Sequence, residues 1–247
     1  MRHLIAALLM LAAPLAASAQ ERQYAVLSLV GDQLLIVQRE MATGSRIDQN
    51  IRRPVPMPSP TLDRAVLLAV DEALRKAQPS STPVLLTTRD PALYAVAEKS
   101  LDSGGTARVF EAVRPVVANA KATHLILVTK HRHRAMIRLM GGHVGSGWLE
   151  GLGFYVDHGN GENAVRATDT ERGFISPFTY LTISVIDLAR GTVVAEDYVI
   201  GSNAHSVPVG QIGNAWKALT EEEKDRQLTA LIREETARVV PKLVKQG

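Results

Sequence analysis

The stretch FTYLTISVIDLARGTVVAEDYVI, residues 178–200, holds two runs rich in Val, Ile, Thr and Tyr, broken by Ala189-Arg190-Gly191. β-Branched and aromatic runs on either side of a short glycine-bearing break read as a β-hairpin. Working outward towards the start of the chain, ATHLILVTKHRHRAMIRLM (122–140) is apolar at first and then alternates. That pattern predicts one long strand that begins buried and ends half exposed.

Helical spacing appears in TLDRAVLLAVDEALRKA (61–77), with Thr61 as its N-cap, and Asp90-Pro91 opens a second helix reaching about Leu101. A third is expected after the Gly104-Gly105 break, from about Arg108 to Ala120. PVLLTTR (83–89) reads as a short strand, while YAVLSLV (24–30) and LLIVQRE (34–40) flank Gly31-Asp32-Gln33 as a second hairpin. Between residues 41 and 60 the prolines of RRPVPMPSP forbid a central strand and predict an extended connector. The end is helical: Thr220 and Glu223 form a capping box, and Leu228, Leu231, Ile232, Thr236, Val239 and Leu243 share one stripe. Residues 141–177 are rich in glycine and polar side chains and read either as a glycine-rich hairpin or as a mobile excursion. The fold class expected is α/β or α+β: a mixed β-sheet packed by helices, with a glycine-rich excursion and a C-terminal amphipathic helix.

The pairing of ANAKATHLILVTKHR with TYLTISVIDLARGTVVAEDYVI, a helix leading into a strand and then a hairpin carrying Asp187 and Gly191, resembles certain periplasmic α/β modules. These are the amino-terminal domain of the Tol-Pal translocation protein, the curli secretion lipoprotein and the penicillin-binding-protein activators. The resemblance spans roughly residues 61 to 200 of this chain. It implies an envelope protein that works by binding other proteins, and it carries over no functional residue.

Composition and the start of the chain bound the function. MRHLIAALLMLAAPLAASAQ has a basic residue at Arg2, an apolar run and the small-residue site Ala17-Ser18-Ala19. This is the pattern of a secretory signal peptide, residues 1–19, with cleavage expected after Ala19 and a periplasmic destination. The mature chain would then be one mixed α/β domain over residues 20–247, the excursion lying at 141–177. No later segment reaches the ~18 apolar residues of a membrane span. There is no cysteine, hence no lipoprotein box, no disulfide and no thiolate chemistry. Only Arg2 of the 28 basic residues lies in the signal, so 27 face 25 acidic ones, and aromatics make up only 4%. A nucleic-acid binder would carry a stronger excess and interleaved aromatics.

Chemistry concentrates in KHRHRAMIRLMGGHVGSGWLEGLGF (130–154). On a strand, alternate side chains share a face. Lys130, Arg132, Arg134 and Arg138 would then form a basic stripe about 25 Å long. Such a stripe is either a dock for phosphate or carboxylate groups or a solvated strand face. The groups docked would be those of lipopolysaccharide, anionic lipid headgroups, peptidoglycan or an acidic envelope protein. His131 and His133 form an HxH pair with His143 just beyond, and His158 beside Asp157 offers a further ligand. Zinc needs three or four such ligands, so a zinc-dependent periplasmic hydrolase is the alternative to a non-catalytic binding or assembly module. Packing of both histidines against Ala135, Ile137 and Leu139 is the other reading of the pair. Gly145-Ser146-Gly147 matches neither a phosphate loop nor a nucleophile elbow, since position 144 is valine. A serine–histidine set could still assemble from Ser146 or Ser202 with His205. Trp148, Leu149, Leu152, Phe154 and Tyr155 lie among glycines, as an apolar contact loop or as cover for the sheet. Glu150, Asp157 and Glu162 add carboxylates there, in no recognisable catalytic pairing.

Overall fold

A computed structural model describes residues 22–40, 48–58, 60–101, 104–139, 141–159, 173–207 and 214–246. The expected signal peptide lies outside them. In chain order the strands are β1 (Tyr24–Ser28), β2 (Gln33–Gln38), β3 (Ile51–Pro56), β4 (Val84–Leu86), β5 (His124–Lys130), β6 (Arg132–Arg134), β7 (Ile137–Leu139), β8 (Gly142–Val144), β9 (Trp148–Asp157), β10 (Phe174–Asp187), β11 (Thr192–Ser202) and β12 (His205–Ser206). Four α-helices are described: α1 (Thr61–Ala77), α2 (Pro91–Glu98), α3 (Gly105–Val117) and α4 (Glu221–Gln246), with a short 3-10 turn over Ala215–Ala218.

Everything is organised around β10. One of its edges carries β11 and β12, antiparallel. The other is shared end to end: Phe174–Tyr180 pairs with β9 and Leu181–Asp187 pairs with β5, both antiparallel. From β5 the sheet continues in parallel through β1 to β4, and from β9 through parallel β2 to antiparallel β3. Mixed pairing with helices on both faces is the architecture expected.

Burial explains the layers. β1 is buried at every position, which requires cover on both faces and suits the parallel part of a sheet rather than a hairpin. Hence the expected pairing of 24–30 with 34–40 does not occur: β1 lies between β4 and β5, while β2 joins β3 and β9. Tyr24, Val26, Ile126, Val128, Ile183 and Val185 pack on one face beneath α1 and α4. Ala25, Leu27, Leu125, Leu127 and Ile186 pack on the other beneath α2 and α3. A third cluster, with Val37, Phe174, Phe178 and Tyr180, continues that second face and, among the described residues, is covered by chain from β7 and β9, through Ile137 and Leu149.

Several boundaries differ from expectation for local reasons. The proline-rich connector holds a strand, β3, at the sheet edge, where the missing N–H groups of Pro54 and Pro56 do least harm. α1 begins at Thr61 with Pro60 before it, so Thr61 does not cap it. Asp90 does cap α2, accepting from the Ala92 N–H at 2.9 Å. α2 ends at Glu98, and α3 starts early, at Gly105.

The capping box forms as the sequence requires: the Thr220 N–H donates to the Glu223 carboxylate at 2.9 Å and the Glu223 N–H to Thr220 Oγ1 at 3.2 Å. Leu228, Leu231, Ile232, Thr236, Val239 and Leu243 all lie on the buried face of α4. Thr220→Ala removes the acceptor and is expected to cost about 1 kcal/mol in a urea titration, with the slope of the transition unchanged.

Candidate functional site

The strand expected over 122–140 is three pieces, and the reason lies on β10. β5 pairs as far as Lys130 opposite Leu181; from Tyr180 backwards that edge belongs to β9. The chain must therefore leave the sheet at His131, whose N–H still donates to the Tyr180 carbonyl at 2.9 Å. It then runs as β6 against the first residues of β9, and β7 and β8 form a small hairpin. Nine residues of straight strand would separate Ser146 from Tyr155 by about 30 Å. Instead the Ser146 N–H donates to the Tyr155 hydroxyl at 3.1 Å, so β9 folds back on itself. Gly151 sits within the bend at φ 67, where an added Cβ would lie 3.1 Å from the Lys130 stem. Residues 132–150 thus make a β-flap over the third apolar cluster. Within 141–177, β9 and the start of β10 pair antiparallel, as the hairpin reading requires; residues 160–172 lie outside the described residues.

Side chains of the body hold the flap backbone. Tyr180 Oη accepts the Met136 N–H at 2.9 Å. Ser202 Oγ accepts from the Arg138 N–H and donates to the Met136 carbonyl, both at 2.9 Å. Asn50 donates to the Ser146 carbonyl at 2.6 Å and accepts from the Ser146 hydroxyl at 3.3 Å. Gly147 at φ 72 leaves room for this clamp, since an added Cβ would lie 2.4 Å from Asp48 Oδ1 and 2.7 Å from Asn50 Nδ2.

On the flap stands Trp148, 37% exposed. The guanidinium carbons of Arg132 and Arg134 lie 5.8 Å and 5.9 Å from its ring centroid. A third arginine, Arg52 from β3, donates to the Trp148 carbonyl at 2.9 Å and to Asp48 at 2.6 Å. Arg132, Arg134 and Arg138 are exposed and form no ion pair among the described residues. The continuous stripe of four is corrected. Lys130 ends β5 with its side chain 13% exposed and paired to Glu98 at 3.1 Å, and Arg138 lies on the separate β7–β8 hairpin. The apolar contact loop shrinks likewise: Leu149, Leu152, Phe154 and Tyr155 are core, because the fold-back turns them inward, and Trp148 alone of that set is exposed.

The histidine pair faces the other way. His133 and His131 stack at 6.0 Å between centroids, and His131 stacks on Tyr198 of β11 at 4.3 Å. His143 sits opposite Arg138 on the β7–β8 hairpin, and His158 accepts the Ala215 N–H at 3.2 Å. No group of three His, Cys, Asp or Glu side chains able to hold a metal ion occurs among the described residues. The serine sets do not assemble, since Ser146 bonds Asn50 and Tyr155 while Ser202 bonds the flap backbone. Asp157 pairs with Arg39 at 2.6 Å; Glu162 lies outside the described residues. Sequence reasoning did not reach Arg52, Asn50, Glu196 and Tyr198. The Arg52-Arg53 doublet beside prolines was a usable signal, whereas Asn50 and Tyr198 matter only through long-range pairing.

Burial lowers His131 and, more weakly, the charge of His133 lowers it further; His124 and His205 are also lowered by burial. A folded-state value below the ordinary 6.5 means the unfolded chain binds more protons, so this stability is present above about pH 6.5 and lost as pH falls through the folded values. Burial raises the Asp63 carboxyl, which acts with the opposite sign in a more acidic range. Thermal melts at about pH 7.5 and pH 5.5 are expected to show lower stability in acid. A variant with all three histidines replaced by Gln is expected to show a smaller drop.

Among the described residues no helix is long and apolar enough to cross a membrane. No protein-family model matches this chain, and no curated protein matches it. Three solved structures are similar at a distance. A protein from Xanthomonas campestris is 8% identical, covering 90% of this chain and 84% of its own, at a TM-score of 0.40. A hypothetical protein from Chlamydia trachomatis is 10% identical, covering 91% and 99%, at 0.37. The PelC dodecamer from Paraburkholderia phytofirmans is 11% identical, covering 90% and 86%, at 0.33.

Proposed function

We propose that this protein is a non-catalytic periplasmic binding module whose flap docks a phosphate or carboxylate group of an envelope component. The observation that carries the reading is the pair of guanidinium groups, Arg132 and Arg134, exposed beside the Trp148 ring and without an ion pair among the described residues. Guanidinium forks match the planar oxygens of carboxylate and phosphate, and they are more weakly hydrated than ammonium, so they give up less on contact. Trp148 adds an apolar face that orients the group, and its backbone is fixed by Arg52 and by the Asn50 clamp on Ser146. The amino-terminal signal pattern and the layout resemblance to periplasmic modules that bind other proteins support the location and the class.

Two probes separate the sources of the anion: vesicles of phosphatidylcholine doped with phosphatidylglycerol, and soluble poly-glutamate. Binding to at least one is expected at low salt, weakening as the Debye length shrinks below about 10 Å above 0.1 M salt. The double variant Arg132→Ser, Arg134→Ser is expected to lose about tenfold or more in affinity, since each charged hydrogen bond is worth about 1.5–3 kcal/mol. Lys130→Ser is expected to change little, its ammonium being held by Glu98. Equal binding by the double variant and the native chain would remove the flap from the account.

A further inference from the structure

The sheet treats its edges unequally. β3 carries Pro54 and Pro56, and β4 is three residues long. β11 is eleven residues long, holds neither proline nor lysine, is bulged only near its start at Val194, and has β10 on one side with no described strand on the other. Natural sheets blunt long edges with proline, lysine, bulges or cover, because unpaired N–H and C=O groups invite another strand. The Tyr198 N–H is held by the neighbouring Asp197 carboxylate at 2.8 Å rather than by a strand. That amide is free to be handed to an incoming chain.

The side chains on this edge select what that chain carries. Glu196 Oε2 accepts from Thr106 Oγ1 at 2.6 Å and Ser184 Oγ at 2.8 Å, and Oε1 accepts from Tyr198 Oη at 3.2 Å. Three hydroxyl donors from three elements thus fix an exposed carboxylate in place. Beside it Tyr198, 47% exposed, lies against His131 on one ring face. A fixed carboxylate next to an accessible aromatic ring is recognition chemistry for an ammonium or guanidinium group. Val193, 40% exposed, provides an apolar contact further along the edge.

We propose that the outer edge of β11 adds an extended segment of a partner protein as a further strand, with a Lys or Arg of that segment seated against Glu196 and Tyr198. Strand addition takes affinity from backbone hydrogen bonds and specificity from alternate side chains. A second copy of this chain is the poorer occupant. Antiparallel pairing of β11 with itself, centred on Asp197, sets that carboxylate directly against its own copy, and like charges across a ladder repel. This interface does not depend on the flap site.

The test uses the chain from residue 20 onward and a synthetic peptide of about ten residues alternating threonine and lysine, at low salt. Binding is expected, and it is expected to weaken at least about tenfold when alternate backbone amides are N-methylated and when Glu replaces Lys. Glu196→Gln and Tyr198→Ala are expected to weaken it similarly while melting close to the native temperature, both positions being exposed. Arg132→Ser with Arg134→Ser is expected to leave it unchanged. No binding of the lysine peptide, or equal binding of the N-methylated one, would overturn strand addition. Unchanged affinity in Glu196→Gln would overturn the cation seat. Dimerisation in sedimentation with no peptide bound would assign the edge to a second copy and overturn the basic partner.

Discussion

Replacing Gly153 by alanine is expected to lower stability by about 3 kcal/mol or more, beyond the usual range for overpacking. Gly153 lies where β2 and β9 run in parallel, opposite Leu35. A Cβ there would stand 1.8 Å from the Leu35 carbonyl oxygen and 2.7 Å from Phe178 Cζ. The first contact is with backbone, which can yield only by parting the two strands, and the second is with a fully buried ring. For a chain of this length a kilocalorie shifts the midpoint by about 2–4 °C, so thermal unfolding should move down by about 10 °C. Gly142→Ala is the control: nothing lies within 4 Å of its added Cβ, and its melt should match the native one. A Gly153→Ala melt within a degree or two of native would show that β2 and β9 do not pair in this register.

Asp63→Ala is expected to cost about 3 kcal/mol, through donors left without an acceptor. Its Oδ1 accepts from Ser28 Oγ at 2.6 Å and from the Val30 N–H at 2.9 Å, and its Oδ2 accepts from Tyr94 Oη at 2.8 Å. One carboxylate thereby ties the end of β1 to the first turn of α1 and to α2. Burial raises this carboxyl more than its hydrogen bonds lower it, so the site resists the full negative charge while still supplying it with donors. Asp63→Asn is expected to cost less than Asp63→Ala, because its Oδ1 can still accept from Ser28 and Val30 while its NH2 donates to the Tyr94 hydroxyl, which can turn its own hydrogen to the Thr88 carbonyl. Ser28→Ala should cost less, about 1 kcal/mol, since it removes one bond of the three. Chemical denaturation of the three variants checks this order. Near-native stability of Asp63→Ala would mean the carboxylate is dispensable there.

How much of this was legible in the sequence depended on the range of the cause. Local signals read true: the capping box of Thr220 and Glu223, the Asp90-Pro91 helix start and the β10–β11 hairpin each depend on residues close in the chain. The β1–β2 hairpin failed because a break between two apolar runs does not say which strands will flank them. The continuous basic stripe failed for a subtler reason. Whether the strand continues past Lys130 is decided by β9 claiming the β10 edge from Tyr180 onward, and nothing within residues 122–140 records that. The same event turns Leu149, Phe154 and Tyr155 into core while leaving Trp148 outside. Of the candidate site, Arg132, Arg134 and Trp148 were individually legible; their meeting, and the support from Arg52 and Asn50, required the flap.

The most direct test of the binding account reads Trp148 itself. The chain has two tryptophans, and Trp216→Phe leaves Trp148 as the sole one. Titrating this protein with the phosphatidylglycerol vesicles or poly-glutamate should change Trp148 emission saturably, reverse on adding salt, and fail when Arg132 and Arg134 are both serine. Binding of either probe, seen by co-sedimentation, with Trp148 emission unaltered would contradict the account and place the anion elsewhere on the protein.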